Sequence, residues 1–135
     1  MITILVVDDM AENLRLVRKL LSTQGYRVLE ALNAEDALAI AAATMPDILL
    51  VDLRLGAGTM TGYELTGRVR ALPGGTDAVI LALSGGALLE DGEISREKGF
   101  DGFIPKPFEF GELSDLLRSH LAEKKGTPPN GETGL

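Results

Sequence analysis

The chain has 135 residues, 45% of them hydrophobic and 24% charged, and its formal net charge is −7. This length and composition are typical of one globular domain that buries its own core, while the acidic balance argues against nucleic acid as a partner. With no cysteine and one histidine, the chain excludes disulfides, thiolate metal sites and histidine-rich metal clusters, so any bound metal would have oxygen ligands.

Five short runs of aliphatic and β-branched residues predict the strands of a sheet. The runs are mostly continuous rather than alternating, which is typical of strands buried on both faces. They span residues 3–7, 27–31, 47–53, 78–83 and 102–105.

Capping residues predict where the first three intervening helices begin or end. Gly25 lies where a carboxy-terminal cap of the first helix is expected. Asn33 can cap the amino terminus of the second helix, which Pro46 closes. Thr61 and Glu64 form a T-x-x-E capping box for the third.

Apolar stripes predict which helical side chains face the core. A fourth helix, at about 87–98, is the weakest because Gly92 interrupts it and its stripe is poor. The stripes of the other four helices consist of Leu14, Val17, Leu20 and Leu21; Ala34, Ala37, Leu38 and Ala41; Leu65, Val69 and Leu72; and Leu113, Leu116, Leu117 and Leu121.

Five strands alternating with five helices predict an α/β fold. We expect a doubly wound (βα)5 parallel sheet with helices on both faces and right-handed crossovers. Residues 1–122 would form this single domain, and residues 123–135, which lose all periodicity, are expected to be a flexible tail or linker.

The sequence contains no run long enough to cross a bilayer. The longest uninterrupted apolar runs, 37–43 and 78–83, are far shorter than the ~20 residues that a membrane span requires. The amino terminus also lacks the basic and apolar segments of a secretory signal. We therefore expect a cytoplasmic protein without a membrane partner.

Polar side chains follow the ends of four predicted strands. Ligands of such sheets bind beyond the carboxyl ends of the strands, and that edge would bring together Asp8, Asp9, Asp52, Ser84 and Lys106. Two carboxylates ~4 Å apart repel by about 4 kcal/mol at an effective dielectric of ~20. Three carboxylates and one ammonium sum to −2, which one divalent cation neutralises. Because Mg²⁺ prefers carboxylates together with water and phosphate oxygens, the sequence predicts a magnesium site for phosphate chemistry.

These residues resemble the receiver domain of two-component response regulators over positions 2 to about 122. The shared motifs are an acidic pair after the first strand, an aspartate ending the third strand 43 residues after Asp9, a serine ending the fourth, and K-P-F beginning 22 residues after Ser84. The resemblance implies a flavodoxin-like strand order 2-1-3-4-5. It also implies a signalling module rather than an enzyme, one that catalyses its own phosphorylation and slow dephosphorylation.

The resemblance assigns a phosphoacceptor and metal ligands. Asp52 would accept a phosphoryl group from a sensor histidine kinase or a histidine phosphotransfer protein. Asp9 would bind Mg²⁺ directly and Asp8 through a water, and the backbone carbonyl of Arg54 would supply a further ligand. The loop after Asp52 is about two residues longer than is usual in the family.

The resemblance also assigns a switch. Ser84 and Lys106 would bind phosphoryl oxygens, and Phe103 occupies the aromatic switch position. The Lys106–Pro107 bond resembles the family's cis peptide. Together they would alter a surface formed by the fourth helix, fifth strand and fifth helix, which a downstream protein would bind. The expected oligomeric state is a monomer or a weak phosphorylation-dependent dimer.

Three other functions compete with this interpretation. A phosphatase of the haloacid dehalogenase type also uses an aspartyl nucleophile, but it favours a D-x-D motif and a cap domain. A flavodoxin-like cofactor-binding protein needs a hydroxyl- and glycine-rich phosphate loop, where this chain has the acidic VDDMAEN. The last alternative is a receiver-like module used only for binding.

Each residue also has a purely structural interpretation. Asp8 and Asp9 could form a turn or cap a helix, and Ser84 could be a turn residue. Lys106 could be a solvated surface lysine. Phe103 judged by itself suggests core packing, because chains with few aromatic residues usually bury them.

Overall fold

The computed structural model describes residues 1–53, 60–84, 99–105 and 109–124. Their elements, in chain order, are β1 (Thr3–Val7), α1 (Ala11–Ser22), β2 (Arg27–Ala31), α2 (Ala34–Ala43), β3 (Ile48–Asp52), α3 (Gly62–Arg70), β4 (Val79–Ser84), β5 (Gly102–Pro105) and α4 (Phe110–Lys124). The predicted helix at about 87–98 lies outside the described residues.

All five strands form one parallel sheet in the order β2-β1-β3-β4-β5. The predicted flavodoxin-like fold is therefore confirmed. The chain leaves β1 to form β2 on one side and later returns to add β3 on the other, so the strand order reverses between β1 and β3. Their register pairs Val7 with Val51, which brings the residues that follow these two to the same edge of the sheet, where ligands of this fold bind.

The sheet separates two hydrophobic clusters. Strands β1 and β3 are buried along their whole length, which explains their continuous apolar sequences. Alternate side chains face α2 and α3 on one side, and α1 and α4 on the other. The edge strand β2 is only partly buried. Because the central strands are held on both faces, the residues at their carboxyl ends have a rigid support.

The local signals for helix ends are confirmed. Gly25 has a φ of +91°, and its N–H donates to the Ser22 carbonyl at 3.1 Å, while the Tyr26 N–H reaches the Leu21 carbonyl at 3.4 Å, as in a Schellman cap. Asn33 accepts a hydrogen bond from the Asp36 N–H at 2.7 Å. Thr61 and Glu64 form the reciprocal capping box, both bonds being 3.1 Å long.

Element boundaries differ from the predictions by a few residues. Strand β3 begins at Ile48 rather than at residue 47, where the Asp47 carboxylate accepts a hydrogen bond from the Thr3 N–H at 2.8 Å. Helix α4 continues to Lys124, two residues beyond the predicted domain boundary, through residues that are strong helix formers. Within the described ranges, no helix has the length and apolar character that a membrane crossing requires.

Candidate functional site

Three carboxylates meet at the carboxyl ends of β1 and β3. Asp8, Asp9 and Asp52 each present one carboxylate oxygen, and these oxygens all lie within 4.8 Å of one another. Asp8 is 3% exposed and Asp52 is 5% exposed, while Asp9 is half-buried. The strand-end pattern thus correctly predicted which carboxylates come together.

Asp8 is held from three sides. Its backbone N–H donates to the Ala31 carbonyl at 3.1 Å, which ties it to the end of β2. Its Oδ1 accepts the Met10 N–H at 3.0 Å, and its Oδ2 accepts Nδ2 of Asn13 at 3.2 Å. The structural interpretation of Asp8 as a turn residue is therefore also correct, because a carboxylate that accepts the N–H two residues later forms an Asx turn.

Sequence reasoning missed Asn13. Helix α1 begins after Met10, whose side chain makes no capping hydrogen bond. The absence of a capping side chain at this position was the available signal that another residue holds the start of the helix. Asn13 is the third residue of this helix, and the helix start places its amide beside a carboxylate five residues earlier. That contact depends on the angle at which the chain leaves β1, which no local propensity specifies.

Asp52 is positioned by β3 and by the start of α3. A Cβ atom built on Gly62 would lie 3.0 Å from Cγ1 of Val51 and 3.3 Å from the Asp52 carbonyl oxygen. Glycine at this position relieves a contact that a side chain would make tighter than is usual. The following N–H, that of Leu53, donates to the Leu83 carbonyl at 3.1 Å. The backbone that carries Asp52 is therefore braced by β4 and α3.

Of the other predicted site residues, the structure describes only some. Arg54, Lys106 and Pro107 lie outside the described residues, and so does the side chain of Ser84. The backbone of Ser84 ends β4 and pairs with Pro105. The last residues of β4 and β5 are therefore neighbours at the same edge of the sheet as the three carboxylates.

The structural interpretation of Phe103 as core packing is wrong. Phe103 is 45% exposed, whereas the next residue, Ile104, is 4% exposed and belongs to the core. Successive residues of a strand point to opposite faces. Ile104 faces the cluster formed with α1 and α4, so Phe103 lies on the opposite face of β5.

The donor set suits a hard divalent cation. Carboxylate oxygens are the protein ligands that Mg²⁺ and Ca²⁺ prefer, and two of the three groups are almost fully removed from water. In a site of this kind a cation offsets the mutual repulsion of the carboxylates. The residues present therefore fit the magnesium ion that the fold and its strand-end acids imply.

Comparison with known proteins agrees with this geometry. The sequence matches the family model described as "Response regulator receiver domain" over residues 4–118. It is 36% identical over 117 residues to an "Uncharacterized 14.6 kDa protein in sodA1 3'region" of Leptolyngbya boryana, with 87% of this chain and 88% of that protein covered. It is 32% identical to the transcriptional regulatory protein YvrH of Bacillus subtilis over 120 residues, covering 88% of this chain but only 48% of YvrH.

A solved receiver domain has a similar sequence and fold. The receiver domain of sensor histidine kinase PA1611 from Pseudomonas aeruginosa superposes with a TM-score of 0.77 at 32% identity, covering 86% of this chain and 93% of that domain. That crystal structure has a magnesium ion coordinated in its active site cleft. The chain described here belongs to the response regulator receiver domain family, and the family match favours neither the phosphatase nor the cofactor-binding alternative.

Proposed function

We propose that this domain accepts a phosphoryl group on Asp52 from a sensor histidine kinase or a histidine phosphotransfer protein in the cytoplasm, in a Mg²⁺-dependent reaction. The observation that carries the proposal is the meeting of Asp8, Asp9 and Asp52, with carboxylate oxygens within 4.8 Å, at the edge where the strand order reverses. The family membership of the chain supports the same assignment.

The transfer needs a positioned nucleophile. An oxygen of the Asp52 carboxylate attacks phosphorus in line with the bond from phosphorus to the donor nitrogen. As the new P–O bond forms, the P–N bond breaks, and its electron pair remains on the imidazole, which takes a proton from water. Asp52 then carries a mixed anhydride. The rigid end of β3 favours this reaction because it holds the attacking oxygen in place.

The residues that would hold Mg²⁺ are Asp8, Asp9 and Asp52, with the backbone carbonyl of Arg54. When bound, the cation supplies positive charge to the carboxylates and to the oxygens of the incoming phosphoryl group. Asp8 already accepts two hydrogen bonds from the chain. This favours a water-mediated contact for Asp8 and direct contact for Asp9.

We propose that Ser84, Lys106 and Phe103 report the phosphorylated state to a downstream protein. One hydrogen bond to a charged group contributes ~1.5–3 kcal/mol, whereas changing a conformational ratio from 1:99 to 99:1 requires ~5.5 kcal/mol. The 45% exposure of Phe103 leaves apolar area that an inward movement would bury, worth about 1 kcal/mol. The switch therefore needs the Ser84 contact, the Lys106 contact and the movement of Phe103 together. We expect it to operate in a monomer or in a weak phosphorylation-dependent dimer.

The experiment that tests the acceptor is incubation with a small phosphodonor and Mg²⁺, followed by intact mass spectrometry. We expect the wild-type chain to gain one phosphoryl group and the Asp52→Ala chain to gain none. Chelation of Mg²⁺ should abolish the gain in the wild type. A matched control is Asp36→Ala, which removes a carboxylate from the first turn of α2 and should leave labelling intact.

Each contrary outcome identifies a different alternative. Labelling that survives Asp52→Ala would place the acceptor elsewhere. A wild-type chain that is never labelled would favour the module used only for binding. Sustained turnover of a generic phosphate ester would favour the phosphatase.

A further inference from the structure

Asn13 makes a contact that the proposed reaction does not use. Its amide Nδ2 lies 3.2 Å from Oδ2 of Asp8, and Asn13 is half-buried at the start of α1. The other oxygen of the same carboxylate accepts the Met10 N–H at 3.0 Å. Each oxygen of the Asp8 carboxylate thus accepts a hydrogen bond from a different residue at the start of α1.

Two donors on one carboxylate fix its plane. The second hydrogen bond restrains rotation about the Cβ–Cγ bond more than the Met10 bond does by itself, since that torsion is broad. Asp9 and Asp52 each present an oxygen within 4.8 Å of an Asp8 oxygen, and repulsion between the charges favours a rotation of the Asp8 carboxylate away from them. The Asn13 amide opposes this rotation, because it holds Oδ2 at a defined position.

We propose that Asn13 is a positioning residue of the cation site, acting through Asp8. It keeps the Asp8 carboxylate in the orientation that a bound Mg²⁺ requires, so that the site does not have to reorder when the ion enters. The assignment rests on the proposed function, because it concerns the same Mg²⁺ site. Residues that orient metal ligands through hydrogen bonds typically contribute 10- to 100-fold to metal affinity, and because Asp8 would contact the ion through a water, the contribution of Asn13 belongs at the lower end of this range.

The test measures Mg²⁺ binding to the unphosphorylated protein by isothermal titration calorimetry. We expect Asn13→Ala to raise the Kd for Mg²⁺ by up to roughly tenfold. Asn13→Leu, which keeps the volume but has no donor, should raise it equally. Asn13→Gln retains the amide on a longer side chain and should recover part of the affinity.

Asn33→Ala is the matched control. Asn33 also lies at a helix start, and its side chain accepts the Asp36 N–H at 2.7 Å, so its loss should lower the thermal stability through the lost cap. Within the described residues, the side-chain hydrogen bonds of Asn33 are to Asp36 and not to the three clustered carboxylates. We therefore expect its Kd for Mg²⁺ to equal that of the wild type.

The possible results separate the two proposals. If the wild type binds Mg²⁺ and both Asn13→Ala and Asn13→Leu bind it as tightly, the role of Asn13 is overturned while the proposed function stands. If Asn33→Ala weakens Mg²⁺ binding as much as Asn13→Ala does, the effect is one of general stability and the role is likewise overturned. A wild-type chain that binds no Mg²⁺ would overturn both the proposed function and the role of Asn13.

Discussion

Position 62 is tightly packed behind the candidate acceptor. A Cβ atom there would lie 3.0 Å from Cγ1 of Val51 and 3.3 Å from the Asp52 carbonyl oxygen. An alanine would therefore require the end of β3 or the start of α3 to shift by a few tenths of an ångström. We expect Gly62→Ala to lower the free energy of unfolding by about 1 kcal/mol and to slow phosphorylation of Asp52 roughly tenfold.

Gly67 is the control for this prediction, since it lies in the same helix and a Cβ there would meet nothing within 4 Å. Alanine is the better helix former, so Gly67→Ala should raise the free energy of unfolding by about 0.5–1 kcal/mol and leave phosphorylation unchanged. Urea denaturation and the rate of labelling by a small phosphodonor measure both effects. Equal behaviour of the two variants would show that the approach of α3 to β3 does not matter for the site.

Arg70 joins three segments at the edge of the sheet opposite to the site. Its guanidinium donates to the Gly75 carbonyl at 2.9 Å and the Ala78 carbonyl at 2.6 Å, both in the connection to β4. It also donates to the Gly99 carbonyl at 2.7 Å and forms an ion pair with Asp101 at 2.8 Å, just before β5. The end of α3 is thereby fixed to both neighbouring strands.

Removal of this guanidinium should loosen the attachment of β5. The Asp101 carboxylate also accepts the Ile80 N–H at 2.8 Å, so it links Arg70 to the start of the β4–β5 pairing. We expect Arg70→Met to lower the free energy of unfolding by about 2–3 kcal/mol, because hydrogen bonds to charged groups are lost and partly buried carbonyls lose their donor. Urea denaturation measures the change.

Arg68→Met is the control, because Arg68 is exposed on the same helix. It should change the free energy of unfolding by no more than about 0.5 kcal/mol. Similar effects from the two variants would mean that Arg70 acts only through the charge or helix propensity of α3, not through the contacts described.

Local signals explain which elements the sequence could predict. The apolar runs of β1 and β3, the Asn33 cap and the Thr61–Glu64 capping box each involve residues at most a few positions apart, and all are present. The meeting of Asp8, Asp9 and Asp52 was predictable because the carboxyl ends of parallel strands lie at one edge of the sheet. The Asn13–Asp8 contact, the Arg70 contacts and the exposure of Phe103 were not. They depend on how separate elements meet, as for Arg70 and Asp101, which are 31 positions apart.

The molecule as a whole concentrates negative charge at the site. Its net charge is −7, and three of its carboxylates have oxygens within 4.8 Å of one another. At an effective dielectric of ~20, two unit charges at this separation repel by about 3 kcal/mol. The hydrogen bonds to Asp8 offset part of the repulsion. Repulsion that is not compensated lowers the stability of a fold while it creates a place for a cation, a conflict that is common at functional sites.

This conflict predicts that loss of the acceptor charge stabilises the protein. In a chelating buffer, Asp52→Asn should raise the free energy of unfolding by about 1–2 kcal/mol, because one of three mutually repelling charges is removed. Asp77→Asn is the control, because it removes an exposed carboxylate before β4. It should change the free energy of unfolding by no more than about 0.5 kcal/mol. Urea denaturation followed by circular dichroism measures both.

Mg²⁺ should reduce the advantage of Asp52→Asn. If Asp52 binds the ion as proposed, the wild type gains stability by RT ln(1 + [Mg²⁺]/Kd), whereas the variant lacks one carboxylate of the site and gains less. The difference between the two chains should therefore shrink as Mg²⁺ is added, while the Asp77→Asn difference stays constant. An Asp52→Asn chain that is no more stable than the wild type in chelator would show that the fold already compensates the charge of the cluster, and a cation would then have little repulsion left to relieve.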